Sequence, residues 1–296
     1  IKVVDKEAEA TVNDESDAGF KVSRLQVTWP NGGEVMQAGK QYTILWSSEN
    51  IEYVRIRYST DNGDNYVQII TNVEASEETY LWTVPTGAAT NNGKIEISDA
   101  SDSYRSDESD GVYIVKRLEI TKPSVGETVQ GNKSYTIEWA KSSNVGSVKV
   151  EYASDGINYN EVIATGQSGT SVNWNVPNAV VNGAKVRVVD ETHNTIIGES
   201  GLFNIAILNI TSPVGGEVYN VGKQVEISWS GSNTVKIEYS SNGGTDWNQI
   251  IANASGGLYV WQTSEGMSEG VNYKVRVINA SNNAIRSESG AITFKR

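Results

Sequence analysis

The chain has no cysteine, one histidine, two methionines, three phenylalanines and five prolines in 296 residues. Without cysteine no disulfide supports a core, and the sequence keeps no record of the redox compartment. The lone histidine, His193, lies in the loop Asp190-Glu-Thr-His-Asn194, so a Ser–His or Cys–His dyad has almost nothing to be built from. The HExxH, P-loop and GxSxG patterns are missing, as is GxGxxG in a strand–helix setting. No run of 18 apolar residues occurs, which excludes membrane insertion by a helix of this segment. Cationic excess is missing too. The formal net charge is −12, and an acidic surface repels nucleic acid and anionic lipid, which excludes both as partners. No cofactor is called for, and the chain reads as no enzyme.

What remains is rich in Val, Ile, Thr, Tyr, Trp, Ser, Asn and Gly, the composition of strands and turns. These residues are ordered into a unit of about ninety residues written three times, from Leu25, Leu118 and Leu208. Each copy opens Val27-Thr-Trp-Pro30, Ile120-Thr-Lys-Pro123 or Ile210-Thr-Ser-Pro213. A Gly-Glu pair follows (Gly33-Glu34, Gly126-Glu127, Gly216-Glu217), then a glycine (Gly39, Gly131, Gly222), then Ile44-Leu-Trp46, Ile137-Glu-Trp139 or Ile227-Ser-Trp229. The segments Val54-Arg-Ile-Arg-Tyr58, Val148-Lys-Val-Glu-Tyr152 and Val235-Lys-Ile-Glu-Tyr239 alternate apolar and charged residues, the pattern of a strand with one buried and one wet face. Hairpin turns follow at Asp61-Asn-Gly63, Asp155-Gly156 and Asn242-Gly243, then strands carrying Trp82, Trp174 and Trp261. About seven short strands per copy and almost no helical periodicity predict a β-sandwich.

Residues 1–24 belong to the same pattern. Lys2-Val-Val-Asp5 matches Arg187-Val-Val-Asp190, and Asp14-Glu-Ser-Asp-Ala-Gly-Phe20 matches Asp107-Glu-Ser-Asp-Gly-Val-Tyr113. They are expected to form the final hairpin of a preceding copy. The expected division is therefore 1–24 as a partial repeat, then sandwiches at 25–117, 118–207 and 208–296. The start at Ile1 rather than Met implies a processed or truncated chain with repeats upstream; pairing of this hairpin with a neighbouring molecule is the other reading. The junctions Val115-Lys-Arg-Leu118 and Ile205-Ala-Ile-Leu208 carry no Gly/Ser or Pro tract, so the sandwiches are expected to stack end to end as a rod.

Candidate sites are few. Asp99, Asp102, Asp107, Glu108 and Asp110 crowd one hairpin of the first copy, a candidate calcium site because calcium takes six to eight hard oxygens. Asp5, Asp14, Glu15 and Asp17 crowd the matching N-terminal hairpin, whereas the third copy keeps only Glu288 there. Asp61, Asn62 and Asp64 form a second, smaller group that also reads as hairpin chemistry. Trp46, Trp139 and Trp229 recur at one strand position, as do Trp82, Trp174 and Trp261, and both sets read as core. Trp29 and Trp247 do not recur as Trp and are candidate platforms for stacking on sugar rings. Asn132, Asn209, Asn253 and Asn279 open Asn-x-Ser/Thr sequons.

The order hydrophobic-x-Thr-x-Pro, Gly-Glu, Gly, Ile-x-Trp, Val-x-Ile-x-Tyr, Asp/Asn-Gly and Tyr80-Leu-Trp-Thr-Val-Pro85 resembles a known family. It is similar to the immunoglobulin-like domain of the Ser-Thr-rich, glycosyl-phosphatidylinositol-anchored surface proteins, first described in fungal cell-wall glucan assembly and found as tandem arrays in large secreted bacterial and archaeal proteins. The resemblance implies an immunoglobulin-like sandwich, an extracellular or cell-surface address, and a structural or adhesive role without catalytic residues. It weakens in the third copy, where Trp261-Gln-Thr-Ser264 replaces Trp-x-Val-Pro and leaves that strand's end open.

The expectation is an all-β rod of three immunoglobulin-like sandwiches serving as a filament, stalk or surface-layer component. Its partners would be further copies or other surface proteins. An adhesin or a carbohydrate-binding region of a large secreted protein, with polysaccharide as partner, is the alternative.

Overall fold

The computed structural model describes residues 1–4, 13–19 and 21–296. Asp5 and Phe20 of the N-terminal hairpin reading lie outside the described residues.

The chain is all-β apart from a 3₁₀ turn at Ala75–Glu77 among the described residues. In the first copy Arg24–Trp29, Gln41–Glu49 and Thr79–Thr83 make a three-stranded antiparallel sheet. The second sheet runs in the order Val35–Gln37, Tyr113–Lys116, Thr90–Asp99, Tyr53–Ser59, Val67–Glu74, with Ser106–Glu108 paired to Thr90–Asp99. Val35–Gln37 and Tyr113–Lys116 run parallel, and the other pairings are antiparallel. Both other copies repeat this arrangement, including the parallel pairs Thr128–Gln130 with Phe203–Ala206 and Val218–Asn220 with Ile292–Lys295. Two sheets facing each other with this order make three tandem immunoglobulin-like sandwiches.

Residues 1–117 form one compact unit and residues 118–296 another, the second holding two sandwiches. In the first unit, the two-stranded sheet Lys2–Val4 with Asn13–Glu15 stands apart from the sandwich sheets. Its register, Lys2 opposite Glu15, is that of Arg187 opposite Glu199 in the second copy.

The alternation read from the sequence sorts the faces. Ile44, Ile56, Ile95 and Ile97 fill the first core with Trp46 and Trp82, and Val225, Ile237 and Val277 fill the third with Trp229 and Trp261. Burying one such side chain is worth roughly 1.5–3 kcal/mol. Each second tryptophan leans on a strand tyrosine: Trp82 on Tyr58 at 5.4 Å, Trp174 on Tyr152 at 4.9 Å and Trp261 on Tyr239 at 5.0 Å between ring centres. The divergent strand end of the third copy keeps the geometry of the others. The Val84 and Val176 N–H groups donate to the carbonyls of Lys40 and Lys133, and Thr263 donates to Lys223 with its N–H and, at 2.6 Å, its hydroxyl.

Candidate functional site

Three features are exposed enough to act on something outside the cores: a charged sheet face, the last hairpin of each sandwich, and the junction inside the second unit.

On the charged face of each sandwich an arginine, a glutamate and an aromatic ring form one stack. Arg57 pairs with Glu96 at 2.6 Å and lies 5.0 Å from the Tyr66 ring centre. Arg187 pairs with Glu151 at 2.7 Å and lies 4.2 Å from Tyr159. Arg276 pairs with Glu238 at 2.5 Å and lies 4.1 Å from Trp247. Burial pushes the Glu151 and Glu238 carboxyls up, but the cations hydrogen-bonded to them hold both below the ordinary value. Burial and the Glu108 carboxylate, which accepts its hydroxyl at 2.5 Å, hold the Tyr66 phenol well above its usual range. These stacks order a strand surface. Trp247 therefore carries a guanidinium on one face, and its indole N–H donates to the Gly244 carbonyl at 2.9 Å. Trp29 is half-buried and stacks on Tyr42 at 6.1 Å.

The structure does not gather the five acids of the first copy's hairpin around one point. Asp99 is buried, accepts from the Ser101 N–H and hydroxyl, and pairs with Arg105 at 3.2 Å. Asp102 shares that arginine at 3.3 Å. Asp107 turns away and accepts the Val27 N–H at 2.7 Å. Glu108 pairs with Lys94, and Asp110 accepts from the Asn31 amide. Among the described residues no three acidic or histidine side chains converge as a metal ion would require. In the N-terminal hairpin Glu15 pairs with Lys2 at 3.5 Å. Asp61 closes its own hairpin, held near a pKa of about 2 by the Ser59 hydroxyl and the Asn65 amide and N–H. Of the sequon residues, Asn132, Asn209 and Asn253 are exposed, while the Asn279 amide donates to the Ser232 hydroxyl and accepts the Ser281 N–H.

The recurring Gly-Glu pair has a role that its sequence alone does not reveal. The glutamate bends back to clamp the preceding loop. Glu34 accepts the Asn31 and Gly32 N–H groups, Glu217 those of Val214 and Gly215, and Glu127 the Ser124 N–H and the Tyr135 hydroxyl.

The junction between the second and third sandwiches is the most constructed feature. Only Ile207 and Leu208 separate the strands Phe203–Ala206 and Asn209–Ser212, and Leu208 is 1% exposed within the third core. Gly231, at φ +93, passes so close that a Cβ there would lie 2.0 Å from the Ile207 carbonyl oxygen. Across the junction the Gln130 side chain behaves like a strand neighbour. Its amide donates to the Arg286 carbonyl at 2.6 Å, and its oxygen accepts the Arg286 N–H at 3.0 Å. The next residue, Ser287, accepts the Ile210 N–H at 3.0 Å, tying the same hairpin to the first strand of its own sandwich. Asp107 holds the equivalent place in the first copy and makes the equivalent bond. Beside Gln130 lies a cleft of about 490 Å³ lined by Glu127, Lys133, Tyr135, Arg286 and Glu288. The sequence had marked the matching hairpin of the first copy for its acids; in the third copy the working contact is the Arg286 backbone, which composition cannot show. A weak signal existed, since Gln37 and Gln130 hold the same place after an apolar residue.

No helix among the described residues is long and apolar enough to cross a membrane. No family model and no curated protein matches the sequence. Among solved structures, the I-band fragment I67–I69 of titin shares 13% identity over 93% of this chain and 98% of that one, with a TM-score of 0.27. The fibronectin(III)-like modules of Clostridium thermocellum CbhA share 16% over 60% and 94%, at 0.24. A Bacteroides ovatus glucan-utilisation protein, SGBP-B, solved with a mixed-linkage heptasaccharide, shares 14% over 93% and 71%, at 0.23. The overall superposition of each with this chain is poor, and the sheet order of each copy remains the description of the fold.

Proposed function

We propose that this chain is a non-catalytic extracellular repeat, a segment of a cell-surface filament, stalk or layer that sets distance. The observation that carries the reading is the junction of the second unit. Two sandwiches with separate cores are joined by two residues, one of them buried, and clamped by the reciprocal Gln130–Arg286 hydrogen bonds. A junction built to remove slack serves spacing; a flexible pair of binding modules would be tethered by a soluble linker. The acidic surface supports an extracellular address, as does the motif resemblance to the Ser-Thr-rich anchored surface proteins.

The absence of cysteine makes the test clean. Ser154 and Ser241 sit exposed on the corresponding hairpins of the second and third sandwiches. With both changed to cysteine and labelled, single-molecule energy transfer on the full chain is expected to give one narrow distance distribution. Gln130→Ala is expected to broaden it without changing either core's melting. A broad distribution in the parent chain would overturn the spacer reading.

A further inference from the structure

The internal junction is an interface with two unlike halves. The receiving half is the edge strand Thr128–Gln130; the inserting half is the hairpin strand Asn282–Glu288 of the next sandwich. Strand register identifies the same halves elsewhere. Asn220 stands opposite Lys295 as Gln130 stands opposite Ala206, so Val218–Asn220 is the receiving strand of the third sandwich. Ser106 stands opposite Ser98 as Arg286 stands opposite Ile278, so Ser106–Glu108 is the inserting strand of the first.

Among the described residues both halves are exposed. Tyr104, at the tip of the first sandwich's hairpin, is 98% exposed, and Val218 is 54% exposed with Asn220 exposed beside it. Their side chains differ from the internal junction in one direction. Tyr104 holds the place of Ala284, and Val218 that of Thr128, both of which line the junction cleft. A tyrosine stands in place of the small Ala284 and a methyl group in place of the Thr128 hydroxyl, at positions that line one cleft in the internal junction, and an outward tyrosine is a typical interface anchor.

Resting on the spacer reading, we infer that a second copy of this chain docks head to tail, its Tyr104 hairpin seated on the Val218–Asn220 strand. Asn220 takes the part of Gln130 against the Ser106 backbone, one methylene shorter, and Tyr104 covers Val218. The argument for this occupant is continuity: the surface repeats the interface already closed between the second and third sandwiches. Because the halves are unlike, the contact is heterologous, and it propagates wherever its rotation does not close a ring.

Sedimentation velocity of the full chain across a concentration series tests this. The parent chain is expected to show mass rising with concentration beyond dimer. Tyr104→Asp and Val218→Asp each remove one half and are expected to lower the association constant at least tenfold, leaving monomer at concentrations where the parent chain oligomerises. Each variant keeps the other half. A one-to-one mixture of the two is therefore expected to give dimer and nothing larger. Circular dichroism melting matching the parent shows that both variants fold. A parent chain that stays monomeric, variants that associate like the parent, or a mixture without dimer would overturn the inference. If the parent stays monomeric while Gln130→Ala still broadens the internal distance distribution, the spacer reading stands and only the docking fails.

Discussion

In the first sandwich Arg57 stands on the strand Tyr53–Ser59, with Glu96 across from it on Thr90–Asp99. In the second and third, the glutamates Glu151 and Glu238 hold the place of Arg57, and the arginines Arg187 and Arg276 hold the place of Glu96. The aromatic ring under the arginine keeps its position in all three, as Tyr66, Tyr159 and Trp247. The stack thus tolerates inversion of its charges, because an arginine side chain is long enough to reach the ring from either strand. Inversion does change the neighbours. Lys149 and Lys236, two residues before the glutamates, approach them at 2.6 Å and 2.9 Å, so each glutamate holds two cations. In the first sandwich that place belongs to Arg55, which sits beside a second arginine and makes no ion pair among the described residues.

The hardest test of this comparison is to invert the second sandwich. Glu151→Arg sets three cations side by side in a partly buried place, and is expected to cost about 3 kcal/mol, since removing one partner strands the others. Arg187→Glu should cost a similar amount. The double variant E151R/R187E rebuilds the order of the first sandwich and is expected to recover to within about 1 kcal/mol of the parent. Urea denaturation of the full chain followed by tryptophan fluorescence reads all three. A double variant as unstable as either single one would show that strand position, not pairing, sets the stack.

A smaller effect concerns the ring. Indole is the strongest aromatic partner for a guanidinium, and Arg276 lies 4.1 Å from Trp247 against 5.0 Å for Arg57 and Tyr66. Trp247→Leu keeps an apolar cover but removes the ring, and is expected to cost the third sandwich about 1 kcal/mol; Tyr159→Leu should cost the second about half of that. Equal losses would mean that area, rather than the ring's charge distribution, supports the arginine.

Much of this architecture was legible beforehand because it rests on short-range pattern. Val54-Arg-Ile-Arg-Tyr58 announces a strand with one wet face, and the recurrent Trp46 and Trp82 positions announce a core. The stack was not legible, since it joins residues about forty positions apart, such as Arg57 and Glu96, and its sign flips between copies. Nor was the clamp by Gln130, a residue type with no strong motif, acting on backbone 156 positions away. The acids around Asp107 drew notice for their charge. Their positions are explained by separate structural duties instead: one holds Val27, another Lys94 and Tyr66, another Asn31, partners distant in sequence.

The smallest effect is acid sensitivity. Burial alone would raise Glu151 and Glu238, yet the paired lysine and arginine bring both below the ordinary value of 4.5. A carboxylate lowered by folding contributes stability that is fully present above its unfolded pKa and is lost as pH falls through its folded one. Urea midpoints are therefore expected to hold down to about pH 5 and to drop below it. The variant E151Q/E238Q should begin lower and fall less, so that the two curves converge toward about pH 3. Below that, the remaining slope belongs to carboxylates such as Asp61 and Asp155, held near a pKa of about 2 by the donors of their own hairpins. The third sandwich carries Asn242 at that turn, which accepts the Asp246 N–H without titrating. Parallel curves for parent and variant would place the acid response outside the stacks, and the two orders of charge would then differ in geometry alone.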